Sequence, residues 1–384
     1  MFGSGVHNPA LLAAGSNCRK SSLITENSLL LIRQRRQPRS IHRQRIAAKS
    51  SKKVSTPHVK YFILEWSPLT LHSTIRYRQP MIKNIVLLCT FAASLLAQLA
   101  TGPKLPMKVV ENWADLPKGW NLGEVSGVAV DKLDHVWVFN RGTHPVIEFD
   151  RDGTMLQAWT EVPIISSHGI QVDPDGNVWL VDVKGHAVMK FNRQGRLQMV
   201  IANAGKAVGD NKSTDAFNQP TGLRFFPNGD FLVSDGYGNS RVAKFDKNGI
   251  WQKQWGEPGT GDGQFNLVHD VALDGKGKVY VADRKNNRIQ IFTEDGKFLD
   301  KWTNLGSPWG LAYSPKEEAL YMCDGENNRV IKVDKNGKLL GVLGGFGKVP
   351  GLFDFPHHLA IDSQGAIYVA EIKNWRVQKF VPVK

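Results

Sequence analysis

An all-β fold, a six-bladed β-propeller of four-stranded blades, is what the sequence beyond Pro103 predicts, on three observations. One heptad pattern recurs six times, at intervals of 40 to 53 residues. Each copy carries short runs of alternating apolar residues, and the runs are joined by Gly turns of hairpin type. A repeat of that length made of strands alone specifies radial stacking of small sheets, which protects their edges.

The copies open at VSGVAVD (125–131), SHGIQVD (167–173), PTGLRFF (220–226), VHDVALD (268–274), PWGLAYS (308–314) and PHHLAID (356–362). Each is read as the innermost strand of a blade. A turn follows, such as Asp175-Gly176-Asn177 or Asn228-Gly229-Asp230, and then a second apolar strand ending on Asp182, Asp235, Asp283, Asp324 or Glu371; the first copy has Asn140 there. The third strand is typified by Arg288-Ile289-Gln290-Ile291-Phe292, whose alternation buries one face. Asn248-Gly249, Asp295-Gly296 and Asn336-Gly337 tolerate positive φ and turn the chain into a fourth, outer strand. The sixth copy reaches only its third strand, residues 375–380, before Lys384. Residues 108–113 resemble the outer strands WQKQW (251–255) and FLDKW (298–302), and are expected to complete the sixth blade and close the ring. The body, 103–384, is thus one domain.

Charge divides the chain differently. Residues 1–100 hold 15 Lys and Arg against 2 Asp and Glu, and the remainder 34 against 33, so the net charge of +14 belongs almost wholly to the leader. A near-neutral body lacks the basic surface that nucleic acid requires. Of Cys18, Cys89 and Cys323 only the last falls in the body, which excludes an internal disulfide there. Residues 81–100 have a positive start (Met81-Ile82-Lys83), an apolar middle and small residues at the end, as a secretory signal peptide does, and are short for a spanning helix. Residues 1–80 show no sustained period; the expectation is a start at Met81, with an Arg-rich transit peptide as the alternative. The protein is then extracytoplasmic, secreted or periplasmic, and meets the membrane only if the signal segment stays uncleaved.

Function is sought where the repeat is broken. The second residue of each heptad is Ser126, His168, Thr221, His269, Trp309 and His357, so His occupies alternate blades. Alternate blades of a six-fold ring lie 120° apart and inner strands line the channel, so three imidazoles converge on its axis. Three His ligands with an open fourth position describe a catalytic zinc site; copper and iron also take imidazole, and solvated channel histidines are the bland alternative. Arg141 and Arg284 follow the ends of the second strands in blades one and four, where a fork of donors suits a substrate carboxylate. Tyr237, on the Gly-flanked loop SDGYGNSR (234–241), is a phenol whose anion a nearby metal and arginine would stabilise, making it a candidate base. No His-acid-Ser triad, Walker loop or Cys-based zinc spacing is present.

The Asn-x-Arg recurring at residues 239–241, 286–288, 327–329 and 374–376 resembles the NHL family of propeller repeats, and its repetition points to a structural role for Arg241, Arg288, Arg329 and Arg376. The irregular positions resemble one enzyme family, the peptidyl-α-hydroxyglycine α-amidating lyases, through VSGVAVD, the Arg-Gly-x-His of 141–144, SHGIQVD, SDGYGNSR, VHDVALD, Ala282-Asp283-Arg284 and PHHLAID. The resemblance covers nearly all of residues 125–380. It implies zinc on His168, His269 and His357, chemistry by Tyr237 and Arg141, substrate binding by Arg284, and cleavage of a C-terminal α-hydroxyglycine to an amide and glyoxylate. It also implies a structural calcium taking the backbone carbonyls of Val128 and Ile170. The aspartate that the family carries after the third histidine is His358 here, so calcium is the weaker expectation. A lactonase-like propeller hydrolase would hold calcium through carboxylates and Asn, and a non-catalytic NHL-repeat binding propeller has no use for alternating histidines.

Overall fold

The computed structural model describes residues 99–202 and 209–383. The basic leader, nearly all of the signal-like segment, Cys18 and Cys89 lie outside them. The inner strands are Val125–Val130, Ser167–Val172, Pro220–Phe225, Val268–Leu273, Pro308–Ser314 and Pro356–Ile361. Each opens an antiparallel four-stranded sheet, and the six sheets follow one another in chain order, as the heptads predict. Inner strands of consecutive blades lie against each other all around, blade six against blade one included. Beyond strands, the only helical elements among the described residues are two 3-10 turns, Arg284–Asn286 and Gly325–Asn327.

Closure comes from the expected end of the chain. Met107–Val110 pairs antiparallel with Arg376–Pro382, Val109 opposite Phe380, and becomes the outer strand of blade six. Its extension anchors it: Trp113 is buried, meets Phe149 of blade one and Tyr368 of blade six at 5.4 and 5.0 Å, and donates its indole N–H to the Arg151 carbonyl. The core is segmented, one apolar cluster per blade junction; Trp137, Phe139, Val178, Leu180 and Phe191, for example, fill the junction of blades one and two. Burial between neighbouring sheets is thus what holds the ring together.

The Asn-x-Arg arginines brace blades three to six to the connectors that enter them. Arg241, Arg288, Arg329 and Arg376 bond the acid that ends their own second strand, Asp235, Asp283, Asp324 and Glu371, at 2.6 to 2.9 Å. Their other nitrogens cap connector carbonyls, those of Ala216, Gln264, Leu305 and Leu352. Cys323 is a free, buried thiol whose pKa burial pushes well up.

One local irregularity sets up the channel. In every blade the pairing of inner and second strands slips just after the first heptad residue, between Val125 and Gly127 in blade one and between Ser167 and Ile170 in blade two. Such a bulge re-aims the side chain it carries. Backbones then crowd at the third residue: a Cβ on Gly169 would sit 2.7 Å from the Thr221 carbonyl oxygen, and one on Gly310 2.6 Å from that of His357. At Gly127, Gly169 and Gly310 the neighbouring backbone thus leaves no room for a side chain, while blades four and six carry Asp270 and His358 at the same position.

Candidate metal centre

The bulged second residues of blades two, four and six are His168, His269 and His357, all at most 2% exposed. Their ring centroids form a nearly equilateral triangle with sides of 4.9, 4.7 and 4.9 Å, and one nitrogen from each lies within 4.8 Å of the others. The rings are aimed by a latch repeated three times. Nδ1 of His168 lies 2.6 Å from the carbonyl oxygen of Thr221, that of His269 2.8 Å from Trp309, and that of His357 2.6 Å from Ser126. Each acceptor is the second heptad residue of the next blade. A carbonyl can only accept, so Nδ1 carries the proton and the Nε2 lone pair is left for a ligand. Burial, then the neighbouring histidines, pushes all three imidazoles well below their usual pKa, which keeps them neutral. His168 Nε2 is buried without a partner. Buried, neutral imidazoles with a fixed tautomer, one of them with an unpartnered Nε2, fit a divalent metal that prefers imidazole.

The Tyr237 hydroxyl lies 3.3 Å from His269 Nε2, with the phenol ring edge-on to His168. Arg284 Nη1 donates to that hydroxyl at 3.2 Å, and the guanidinium lies 3.8 Å from the centroid of the buried Trp309 indole. Trp309 in turn packs on His269, at 4.7 Å. Arg141 stands apart: it pairs with Glu124 at 2.5 Å and donates to the Ser167 carbonyl at 3.3 Å, next to His168 in sequence. The six side chains named from sequence therefore share one mouth of the channel, but it is Arg284, on the blade adjacent to Tyr237, that touches the phenol. Val128 and Ile170 lie two residues deeper on their inner strands than the histidine layer.

Residues that sequence reasoning left without a role complete the site. Trp309 walls the histidines and carries Arg284, and its indole N–H is buried without a partner. Glu124 holds Arg141. Deeper in the channel lie Arg224, Asp270 and His358. All three were visible as breaks in heptad columns: Arg224 stands where other blades have Ala or Gln, and Asp270 and His358 stand where other blades have Gly.

The NHL repeat family matches residues 217–245 and 265–292. The chain is 32% identical to human NHL repeat-containing protein 3 over 82% of its own length and 92% of that protein's. It is 32% identical to Xenopus laevis peptidyl-glycine alpha-amidating monooxygenase A over 72% of its length, and spans 34% of that longer chain. It is 29% identical to Drosophila melanogaster peptidyl-alpha-hydroxyglycine alpha-amidating lyase 1, over 43% of this chain and 35% of the other.

Proposed function

The chain belongs to the NHL-repeat β-propeller family and is related to the peptidyl-glycine amidating enzymes; from that premise we propose that it is a zinc-dependent carbon–nitrogen lyase that splits a peptidyl-α-hydroxyglycine, or a similar carbinolamide, into an amide and glyoxylate. The observation that carries the proposal is the set of three latched, neutral imidazoles with a phenol and a guanidinium at their open side. A scaffold that merely binds partners has no need to bury three histidines in alternate blades and hold each by a carbonyl.

Zinc on His168, His269 and His357 would supply Lewis acidity that makes the substrate hydroxyl easier to deprotonate. The remaining steps fall to the chain's own groups. Arg284 and Arg141 take the substrate carboxylate at the mouth, Arg141 exchanging Glu124 for it. Tyr237, its oxygen held by the Arg284 guanidinium, accepts the hydroxyl proton. The O–H pair becomes the aldehyde π bond, the C–N pair leaves on nitrogen, and the Tyr237 proton returns to that nitrogen. Amide and glyoxylate are then complete, with no redox partner consumed. The substrate arrives as a peptide or small molecule bearing a C-terminal carboxylate, in an extracytoplasmic compartment.

Elemental analysis of the purified protein tests the first half of this reading. About one zinc per chain, lost in His168→Ala/His269→Ala together with glyoxylate release from α-hydroxyhippurate, is the expected result. A protein that takes up no zinc on reconstitution, or releases glyoxylate equally well in the variant, is not this lyase. A non-catalytic NHL-repeat binding propeller would behave in that way.

A further inference from the structure

Two residues below the histidine layer the channel carries a positive charge that the chain itself provides. Arg224, the fifth heptad residue of blade three, reaches across the channel. Its Nε donates to the carbonyl of Val271 at 2.9 Å and its Nη2 to that of Leu311 at 2.5 Å, while Nη2 also meets Asp270 Oδ2 at 3.2 Å. Val271 and Leu311 are the fourth heptad residues of blades four and five. Val128 and Ile170, whose carbonyls the family resemblance offers to a structural calcium, are the fourth residues of blades one and two. By repeat equivalence these four carbonyls belong to one layer, and the guanidinium already occupies it.

Of the other donors, the carboxylate is spent, and the one left over is an imidazole nitrogen, His358 Nε2, which is buried without a partner 3.9 Å from Asp270 Oδ2 and is a poor ligand for calcium beside oxygen donors. Asp270 is 2% exposed; its Oδ1 accepts the Val271 N–H and its Oδ2 the Leu311 N–H, both at 2.9 Å, besides Arg224. His358, in the third heptad position like Asp270, turns its Nδ1 to the Ser126 carbonyl at 2.7 Å and offers no carboxylate. A divalent cation entering here would meet a guanidinium rather than an anionic cage, at close range and away from bulk water, where repulsion is weakly screened. Calcium therefore does not fit these residues.

We propose that Arg224 is the resident cation of the channel: it takes the charge and the carbonyl ligands that a structural divalent ion would take, and makes the fold independent of calcium. This inference does not rest on the lyase reading, because it concerns a different layer of the channel and has a physical readout. Arg224 ties blade three to blades four and five, a fastening of the kind that a central ion performs, and it cannot dissociate.

The test uses the full chain, dialysed into calcium-free buffer, with radiocalcium equilibrium dialysis and thermal unfolding with and without millimolar calcium chloride. The wild type is expected to bind no stoichiometric calcium and to melt at the same temperature in both. Arg224→Met/His358→Asp, which removes the guanidinium and restores a carboxylate, is expected to melt lower without calcium and to rise by several degrees when calcium is about a hundredfold above its Kd. Arg224→Lys, which keeps a charge but loses the fork of donors, is expected to melt lower and stay indifferent to calcium. Stoichiometric calcium in the wild type, or a calcium-dependent melt there, overturns the proposal even if no variant folds. So does a double variant as stable as wild type and blind to calcium.

Discussion

Removing one oxygen atom separates chemistry from architecture at this site. In Tyr237→Phe the ring keeps its edge-on contact with His168, and the only bonds lost are those of the hydroxyl, to Arg284 at 3.2 Å and to His269 at 3.3 Å. Tyr237 is 37% exposed, so water reaches the vacated positions and no dry cavity forms. The stability change should therefore stay within about 1 kcal/mol. Zinc content should be unchanged, since the phenol does not orient any histidine; the latches to Thr221, Trp309 and Ser126 do. Turnover should fall by about 10²- to 10⁴-fold, the usual contribution of a positioned base, equivalent to roughly 3 to 5 kcal/mol in the barrier. The assay is glyoxylate release from α-hydroxyhippurate at saturating substrate, with zinc measured on the same sample. Turnover within a few fold of wild type, at full zinc occupancy, refutes the assignment of Tyr237 as base. Loss of zinc along with turnover would instead make the phenol part of the metal centre.

Three further outcomes are expected. Trp309→Leu removes the indole lying 3.8 Å from the Arg284 guanidinium; loss of about 0.5–2 kcal/mol of cation–π attraction should raise KM about 2- to 30-fold with a smaller effect on kcat, and an unchanged KM would mean that the indole does not position Arg284. Starting the chain at Trp120 deletes the closing strand and the buried Trp113, so thermal unfolding should drop by at least about 6 °C, from roughly 3 kcal/mol or more for the tryptophan alone; an unshifted transition would show that closure contributes no stability. Arg241→Ala leaves Asp235, which is fully buried, without its counter-ion and should cost about 3–5 kcal/mol near neutral pH. Burial raises the Asp235 pKa even with Arg241 present, and a carboxyl whose folded pKa exceeds its unfolded value favours folding at low pH and loses that contribution as pH rises. The deficit of Arg241→Ala, followed by denaturant titration, should accordingly shrink on acidification into the carboxylate range; a deficit constant with pH would place its origin in lost packing.

Blade number, strand order and ring closure were legible in the sequence because each is a property of periodicity: six heptads, Gly turns, and a stray outer-strand motif at residues 108–113 that only blade six could use. The histidine trio was legible for the same reason, as a column of the repeat. What periodicity could not reveal is how the imidazoles are held, because the carbonyl latches depend on a bulge and on contacts between blades. Which arginine meets the phenol was not legible from periodicity either. Tyr237 belongs to blade three, Arg284 to neighbouring blade four, and Arg141 to blade one, so the ring itself sets the phenol beside Arg284. Arg224 was as visible as the histidines, standing in a column of Ala129, Gln171, Ala272, Ala312 and Ala360, but only its reach to Val271 and Leu311 reveals its role.

The latches also explain why three histidines engage all six blades. His168 bonds blade two to blade three, His269 blade four to five, and His357 blade six to one. The blades without histidine provide the acceptors, so their second residues are free to differ as Ser126, Thr221 and Trp309. Spacing the imidazoles at alternate blades places them around the axis rather than along one wall, and leaves the side facing Tyr237 and Arg284 open for substrate. The latch on His357 crosses the junction between the last blade and the first, which the N-terminal strand and Trp113 seal from outside. Ring closure and the placing of the imidazole trio therefore depend on the same junction: whatever loosens the closing strand also frees His357 to turn, and zinc held there as proposed would report on whether the ring is shut.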